Sequence, residues 1–188
     1  TNNEGCSHSE TKQVNSLGAP SADFMSNGQC AGTAVNFTDL TSVSGNQTLD
    51  RWNWNFGDPT SGISNTSILQ NPTHVFANAG TYTVKLITFT GNNCSDTITK
   101  TVTVKPIPAV DFTTQSACAN NPALFAPAGV AVSTISGWYW TFGDGGSSNL
   151  QAPTHSYTSP GTFTVTLTIT DTAGCSNTIS KPIIIAPL

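Results

Sequence analysis

The stretch WNWNFGDP at residues 52–59 returns, nearly unchanged, as WYWTFGDG at residues 138–145. Other positions repeat as well, at an offset of 88 residues before this stretch and 81 residues after it. The matched pairs are Phe24 with Phe112, Cys30 with Cys118, His74 with His155, Gly80 with Gly161, and Cys94 with Cys175. The offset shrinks where the first copy carries the longer loop PTSGISNTSILQ, and insertions of this kind fall in surface loops. The chain therefore contains one structural unit twice.

The first residues fit the same register. Cys6 precedes Lys12 by six residues, as Cys94 precedes Lys100. We therefore expect a partial repeat ahead of the two complete ones, as in a slice of a tandem array. The predicted domains are residues 1–19 as the last strand of a preceding repeat, residues 20–106 as the first repeat and residues 107–188 as the second.

Hydrophobic alternation predicts strands throughout. TYTVKLITFT at 81–90 and TFTVTLTIT at 162–170 place every second residue on one buried face. No helical period is present, and about seven short strands per repeat are typical of two packed antiparallel sheets. The same alternation predicts that Trp54 and Trp140 lie in the core, with a ligand-stacking platform as the alternative. Tyr139 points to the other side and is a candidate for an exposed contact.

The five cysteines follow the repeat. One disulfide per repeat would join Cys30 to Cys94 and Cys118 to Cys175, leaving Cys6 unpaired in this chain with its partner in an upstream repeat. Buried free thiols or a metal site are the alternatives, but no C-x-x-C spacing or histidine cluster accompanies the cysteines.

Composition restricts the classes of partner. Charged residues make up 9% of the chain, against a usual quarter, and Thr, Ser and Asn build the polar surface, as in secreted proteins. The six Lys and Arg residues form no basic stripe, so nucleic acid is not expected as a partner. No apolar stretch approaches the roughly 20 residues that cross a bilayer, so we expect no membrane insertion, and an export signal would lie outside the sequence.

The ordered motifs W-x-F-G-D, P-T-H-x-F/Y and G-T-Y/F-T-V-x-L resemble the PKD domain family. In the first copy they are carried by Trp54, Phe56, Gly57, Asp58, Pro72, His74, Phe76, Gly80, Tyr82, Val84 and Leu86. In the second copy they are carried by Trp140, Phe142, Gly143, Asp144, Gly145, Pro153, His155, Tyr157, Gly161, Phe163, Val165 and Leu167. Pro59 stands where the family usually has Gly, so the resemblance does not predict the conformation of this turn in the first copy.

The resemblance implies an all-β fold of tandem immunoglobulin-like, PKD-type antiparallel β-sandwiches. It also implies extracellular use, in stalks and adhesins or attached to secreted hydrolases. The paired cysteines and the Thr- and Asn-rich composition resemble repeats of Bacteroidetes surface proteins.

Two acid and histidine pairs are the candidates for chemistry. Asp58 with His74, and Asp144 with His155, could act as acid and base, but a triad also needs a Ser or Cys within reach, and none is marked. We therefore interpret both pairs as structural clasps and expect no enzymatic activity. Calcium is the alternative cofactor, but its six or more oxygen ligands are not provided by isolated carboxylates.

Three features are candidates for contact or modification. Lys85, Ile87 and Phe89 stand where the second copy has three threonines and could form a contact patch, and Tyr139 is a separate contact candidate. Asp-Thr-Ile at 96–98 and Asp-Thr-Ala at 171–173 resemble the O-glycosylation motif of Bacteroidetes. The acceptors would be Thr97 and Thr172.

These observations predict a structural or adhesive segment, a stalk or filament module, of an extracellular cell-surface protein. The linker VKPIPAVDF at 104–112 contains two prolines, which restrict hinge motion. Neighbouring repeats or subunits are the expected partners, with polysaccharide or a surface protein as further possibilities. One alternative is a substrate-binding accessory of a secreted hydrolase. Another is a filament subunit that completes its partial repeat with a neighbour.

Overall fold

A computed structural model describes residues 9–12, 18–28, 30–115 and 117–188. The described residues within 1–26, 36–73 and 83–100 form one compact unit, and those within 27–35, 74–82 and 101–188 form a second. The predicted strand at 1–19 falls largely outside the described residues, as does Cys6. The predicted domain boundaries stay predictions.

Short extended segments form both repeats. In the first repeat the strands are β1 (Phe24–Asn27), β2 (Ala34–Asp39), β3 (Leu49–Asn55), β4 (Thr66–Ser67), β5 (Thr73–Val75), β6 (Gly80–Thr90) and β7 (Ser95–Val104). In the second repeat they are β8 (Phe112–Thr114), β9 (Ala117–Cys118), β10 (Pro122–Pro127), β11 (Ile135–Thr141), β12 (Ser147–Ser148), β13 (Thr154–Ser156), β14 (Gly161–Asp171) and β15 (Ser176–Ala186). Short 3-10 helices cover Pro59–Asn65 and Val132–Thr134.

Each repeat contains two sheets. The first repeat has the strand orders β1-β2-β5 and β4-β3-β6-β7, and the second has β13-β10-β8 and β12-β11-β14-β15-β9. Trp54 pairs with Leu86 in the first repeat, and Trp140 pairs with Leu167 at the same register in the second. The prediction of tandem immunoglobulin-like antiparallel sandwiches is confirmed.

Aromatic side chains fill both cores, because alternation along each strand aims them inward. In the first repeat the ring centroids of Phe24 and Trp54 are 5.2 Å apart, and those of Phe37 and Phe56 are 5.0 Å apart. The second repeat packs Phe112 on Trp140 at 5.2 Å. Burial of these rings supplies most of the hydrophobic stabilisation of such small sandwiches.

The glycine of the W-x-F-G-D motif permits a close backbone approach. Gly57 has a φ of +69°, and a Cβ built on it would lie 2.4 Å from the carbonyl oxygen of Thr83 on β6. A Cβ built on Gly143 would lie 2.6 Å from the carbonyl oxygen of Thr164 on β14. A residue with a side chain would meet both strain and a clash here, which explains why glycine occupies both copies.

Pro59 changes the turn that follows. In the second repeat the corresponding residue, Gly145, has a φ of +97°, which proline cannot adopt because its ring holds φ near −65°. In the first repeat the chain instead enters the 3-10 helix Pro59–Asn65, with proline at its first turn, where no backbone N–H is needed.

The predicted disulfide pairing within each repeat is wrong. The disulfide joins Cys30 to Cys175, with their Cα atoms 5.6 Å apart, while Cys94 and Cys118 are free thiols. Cys94 immediately precedes β7, and Cys30 forms a bridge with Lys105, just after β7 ends. The ten residues of β7 therefore hold Cys30 and Cys94 roughly 30 Å apart, far beyond disulfide reach.

The same geometry separates the cysteines of the second repeat. Cys175 immediately precedes β15, and Cys118 pairs with Ala186 at the far end of that strand. The 11 residues of β15 again span roughly 35 Å. Each repeat thus carries one cysteine at each end of its last strand, and a bond between the two is geometrically excluded.

Candidate functional site

Asp144 and His155 form a clasp between the two sheets of the second repeat. Asp144 follows β11, and His155 lies on β13 of the other sheet. The His155 Nε2 and Asp144 Oδ2 atoms are 2.7 Å apart, and the Gly146 N–H donates to Asp144 Oδ1 at 2.9 Å. The imidazole stacks on Phe142 at a centroid distance of 4.1 Å and an interplanar angle of 4°. These contacts hold the histidine ring in one orientation.

The electrostatics of the clasp suit a structural role. Burial raises the pKa of Asp144, but hydrogen bonds from His155 and the Gly146 N–H outweigh it, so the pKa lies below its usual 3.8. Burial, together with the nearby Asp144 carboxylate, raises the pKa of Tyr157 to about 12. The Tyr157 hydroxyl donates to the Phe142 carbonyl at 3.0 Å.

In the first repeat, Asp58 and His74 occupy the equivalent positions and are more deeply buried, at 3% and 4% exposed. The Asp58 N–H donates to Asn65 Oδ1 at 2.7 Å, and the Thr60 hydroxyl donates to Asp58 Oδ1. His74 packs edge-on against Phe76 at 4.5 Å. These contacts serve the local turn and the core.

The two motif tryptophans are core residues with a satisfied polar group. Trp54 and Trp140 are 2% and 0% exposed. Each indole N–H donates to a backbone carbonyl at 2.9 Å, of Leu69 in the first case and of Leu150 in the second. Buried indoles of this kind cannot stack on an external ligand, whereas Tyr139 is 50% exposed.

A lysine clamp, which the sequence reasoning missed, holds the first strand of each repeat. The ammonium group of Lys181 pairs with Asp111, donates to the Phe112 carbonyl at 2.7 Å, and lies 5.1 Å from the Phe112 ring centroid. The first repeat builds the same clamp from Lys100, Asp23 and Phe24. The 81-residue offset between the lysines, in a chain with only six Lys and Arg residues, was the available signal.

The clamps also bear on the calcium alternative. Asp23 and Asp111 are the carboxylates near the predicted repeat junctions, and hydrogen bonds from Lys100 and Lys181 lower the pKa of each. Each carboxylate is therefore neutralised by a lysine of its own repeat. Among the described residues, no group of three or more His, Cys, Asp or Glu side chains is placed to hold a metal ion.

The predicted contact patch is partly covered. Lys85 is exposed, while Ile87 and Phe89 are half-buried. The guanidinium of Arg51 lies 4.7 Å from the centroid of the Phe89 ring and also donates to Asn93 Oδ1 at 2.6 Å. A cation–π contact of this kind shields one face of the ring. A partner for this patch stays a prediction.

In the second repeat, hydroxyl groups occupy the corresponding outer face. Three threonines of β14 each share a hydrogen bond with a hydroxyl of β15. The pairs are Thr166 with Ser180 at 2.8 Å, Thr168 with Thr178 at 2.9 Å, and Thr170 with Ser176 at 2.8 Å. We call these three pairs the hydroxyl ladder.

Both predicted O-glycosylation residues are exposed. Thr97 lies on β7, and Thr172 lies in the turn between β14 and β15, where its N–H donates to the Thr134 carbonyl at 2.8 Å. Modification at these threonines stays a prediction.

Comparisons with known proteins agree on the repeat. The sequence model described as "PKD domain" matches residues 18–106 and 103–185. A microbial collagenase of Vibrio alginolyticus is 39% identical over 62 residues, which are 33% of this chain and 7% of the collagenase. The pre-pro-metalloprotease PrtV of Vibrio cholerae is 47% identical over 49 residues, 26% of this chain and 5% of the protease. The chain thus spans less than a tenth of either relative.

Among solved structures, the PKD1 domain of Vibrio cholerae PrtV is 31% identical, with a TM-score of 0.39, covering 43% of this chain and 98% of that domain. No helix in the described ranges has the length and apolar character needed to cross a bilayer.

Proposed function

Because the chain belongs to the PKD domain family and carries two copies of its sandwich, we propose that it is a non-catalytic extracellular module. It would act as a structural or adhesive segment of a tandem-repeat bacterial surface protein, one that separates or presents other parts of that protein.

The observation that supports this role is that the motif residues are engaged in internal contacts. The histidine of the second copy is held by a carboxylate, and both core tryptophans use their N–H groups on backbone carbonyls. These polar groups stabilise the repeat that carries them. The two tryptophans are used in the same way, as expected of a repeated structural module.

The disulfide joins a cysteine of the predicted first repeat to a cysteine of the second, and both lie in the second compact unit. Lys105 begins the linker and lies beside Cys30, while the Asn177 side chain near Cys175 donates to the linker carbonyl of Pro108 at 2.8 Å. The Cys30–Cys175 bond therefore runs beside the linker.

Small-angle X-ray scattering tests the structural role. We expect the double variant Cys30→Ala/Cys175→Ala to show a broader distribution of molecular dimensions than the native chain, because the two cysteines, 145 positions apart in sequence, are no longer bonded. The matched control is Cys94→Ala/Cys118→Ala, which removes two free thiols and should leave the scattering of the monomer, isolated by size exclusion, unchanged. Identical curves for both double variants would rule out a stiffening role for the disulfide.

A second function, a binding accessory of a secreted hydrolase, is favoured by the exposed ring of Tyr139. The collagenase and metalloprotease relatives are consistent with this candidate. Co-sedimentation with insoluble polysaccharide and with collagen fibrils separates the two functions. Retention that is lost in Tyr139→Ala, but kept in a control at its cross-strand neighbour, Thr168→Ala, would favour the accessory. We expect no retention.

A further inference from the structure

We propose that Cys118 and Cys94 are the two halves of a head-to-tail covalent link between copies of this chain. Cys118 of one copy would form a disulfide with Cys94 of a second copy, as Cys30 does with Cys175 within the chain. The inference rests on the geometry of the cysteines and does not depend on the proposed function.

The backbone around Cys118 reproduces that around the bonded Cys30. Cys30 bridges Lys105 in parallel, and the next N–H, of Ala31, donates to the Lys105 carbonyl at 2.9 Å. Cys118 pairs with Ala186 in parallel, and the Ala119 N–H donates to that carbonyl, also at 2.9 Å.

The turns that follow these two cysteines also agree. Gly32 and Asn120 both adopt a left-handed backbone, with φ of 73° and 64°. The Gly32 N–H donates to the Phe76 carbonyl at 2.8 Å, and the Asn120 N–H donates to the Tyr157 carbonyl at 2.7 Å. Cys118 is therefore held in the same backbone setting as a cysteine that forms an inter-repeat bond.

Cys94 matches the bonded Cys175 in the same way. The Thr90 N–H donates to the Cys94 carbonyl at 2.9 Å, and the Asp171 N–H donates to the Cys175 carbonyl at the same distance. The preceding residues, Asn93 and Gly174, have left-handed φ values of 61° and 84°. The turn that presents Cys94 is thus the turn that presents Cys175.

Both free cysteines can be reached from solvent. Cys94 and Cys118 are partly exposed, as is the bonded Cys30, whereas Cys175 is 0% exposed. Partners within their own repeats are excluded by the length of β7 and β15, as shown above. Both thiols therefore remain available to another copy.

A link of this type is heterologous, because the two copies contribute different cysteines, and it leaves one unused cysteine of each kind at the ends. It therefore extends into a linear chain of copies. In the reaction, the Cys118 and Cys94 thiols lose two protons and two electrons and form one S–S bond. Oxidised glutathione accepts both and leaves as two molecules of reduced glutathione.

Mixing of complementary variants tests the proposal. In a Cys6→Ser background, one variant carries Cys94→Ser and the other Cys118→Ser. Each is incubated in a glutathione redox buffer, alone and mixed, and analysed by non-reducing electrophoresis and peptide mapping. We expect monomers from each variant alone, a dimer with a Cys118–Cys94 peptide from the mixture, and a ladder of larger species from Cys6→Ser itself.

Peptide mapping of the Cys30–Cys175 bond confirms that each variant is folded. Equal dimer formation by a single variant would show non-selective thiol pairing and overturn the proposal. So would a Cys6→Ser chain that stays monomeric with both thiols free, or that forms a bond between Cys94 and Cys118 of one molecule. As a control, urea should abolish the selectivity, because the pairing depends on the folded turns.

Discussion

At the level of single residues, the two repeats can be compared position by position. At some positions, the residue in one repeat suits its surroundings better than the equivalent residue in the other. Thr88 on β6 is 0% exposed, and its hydroxyl has no hydrogen-bond partner among the described residues. The equivalent residue of the second repeat is Ile169, also 0% exposed. A buried, unsatisfied hydroxyl destabilises the first repeat.

We expect Thr88→Val to raise the free energy of unfolding of the first repeat by about 1–2 kcal/mol, because it removes the unsatisfied hydroxyl and keeps the branched shape. Urea denaturation followed by tryptophan fluorescence measures the change. The reciprocal control, Ile169→Thr, should destabilise the second repeat by about 2–4 kcal/mol. A loss of stability in Thr88→Val would contradict this account of the core.

The motif glycine gives a second prediction at this scale. Gly57→Ala should destabilise the first repeat by about 2–4 kcal/mol, because the left-handed backbone and the contact with the Thr83 carbonyl both oppose a Cβ. Gly145→Ala is the matched control: its φ is also positive, at +97°, but no atom lies within 4 Å of its Cβ position. We expect Gly145→Ala to destabilise the second repeat by about 1 kcal/mol. Thermal unfolding of both variants would show whether the close approach, beyond the strain, accounts for the difference.

At the level of strands and turns, the Asp144–His155 clasp makes stability depend on acid. Asp144 has a lowered pKa in the folded state, so below the ordinary value of 3.8 the unfolded chain binds more protons than the folded one. The stabilisation by this carboxylate is complete above that pH and is lost as the pH falls through the lower, folded pKa.

We therefore expect the urea midpoint of the second repeat to fall as the pH drops from about 5 to about 2. Asp144→Asn should weaken this fall, since it removes the titrating group, while Asp50→Asn, at an exposed acid of the first repeat, serves as the control. Equal acid sensitivity in both variants would show that the clasp does not contribute.

Much of this organisation was predictable from the sequence. Alternation located the long strands β6 and β14 and sent Trp54 and Trp140 into the core. The two-residue strands β4, β9 and β12 were not predictable, because two residues carry no periodicity. The 3-10 helix after β3 also escaped, since a single proline marks a different turn but does not specify which one.

The cysteine partners were not predictable for a different reason. Spacing shows that Cys30 corresponds to Cys118 and Cys94 to Cys175, but it does not show which end of a strand each one occupies. Cys30 reaches the end of β7 through its bridge to Lys105, a contact between residues 75 positions apart. Only the folded sheet reveals that a pair at matched spacing is separated by a strand's length.

At the level of the whole molecule, the disulfide predicts a reactivity pattern. We expect iodoacetamide to label Cys94 and Cys118 in the native protein and to leave Cys30 and Cys175 unlabelled until a reductant is added. Mass spectrometry of chymotryptic peptides, which separate Cys118 from Cys175, reads this pattern. A Cys30–Cys94 peptide in native material would refute the arrangement.

Removal of that bond also has an expected energetic effect. The disulfide links residues 145 positions apart, and the chain-entropy account gives roughly 5 kcal/mol for a loop of that size. We expect Cys30→Ala/Cys175→Ala to lose up to about this amount when both repeats unfold together. Denaturation of the unsubstituted chain with and without reductant provides the comparison.

The hydroxyl ladder determines how the contact between β14 and β15 responds to salt. Its three pairs join β14 to β15 without a single ion, so dissolved electrolyte has nothing there to screen. We expect this face to be equally stable at low and at high salt concentration, whereas a face built from lysine–glutamate pairs would lose stability as the salt concentration rises.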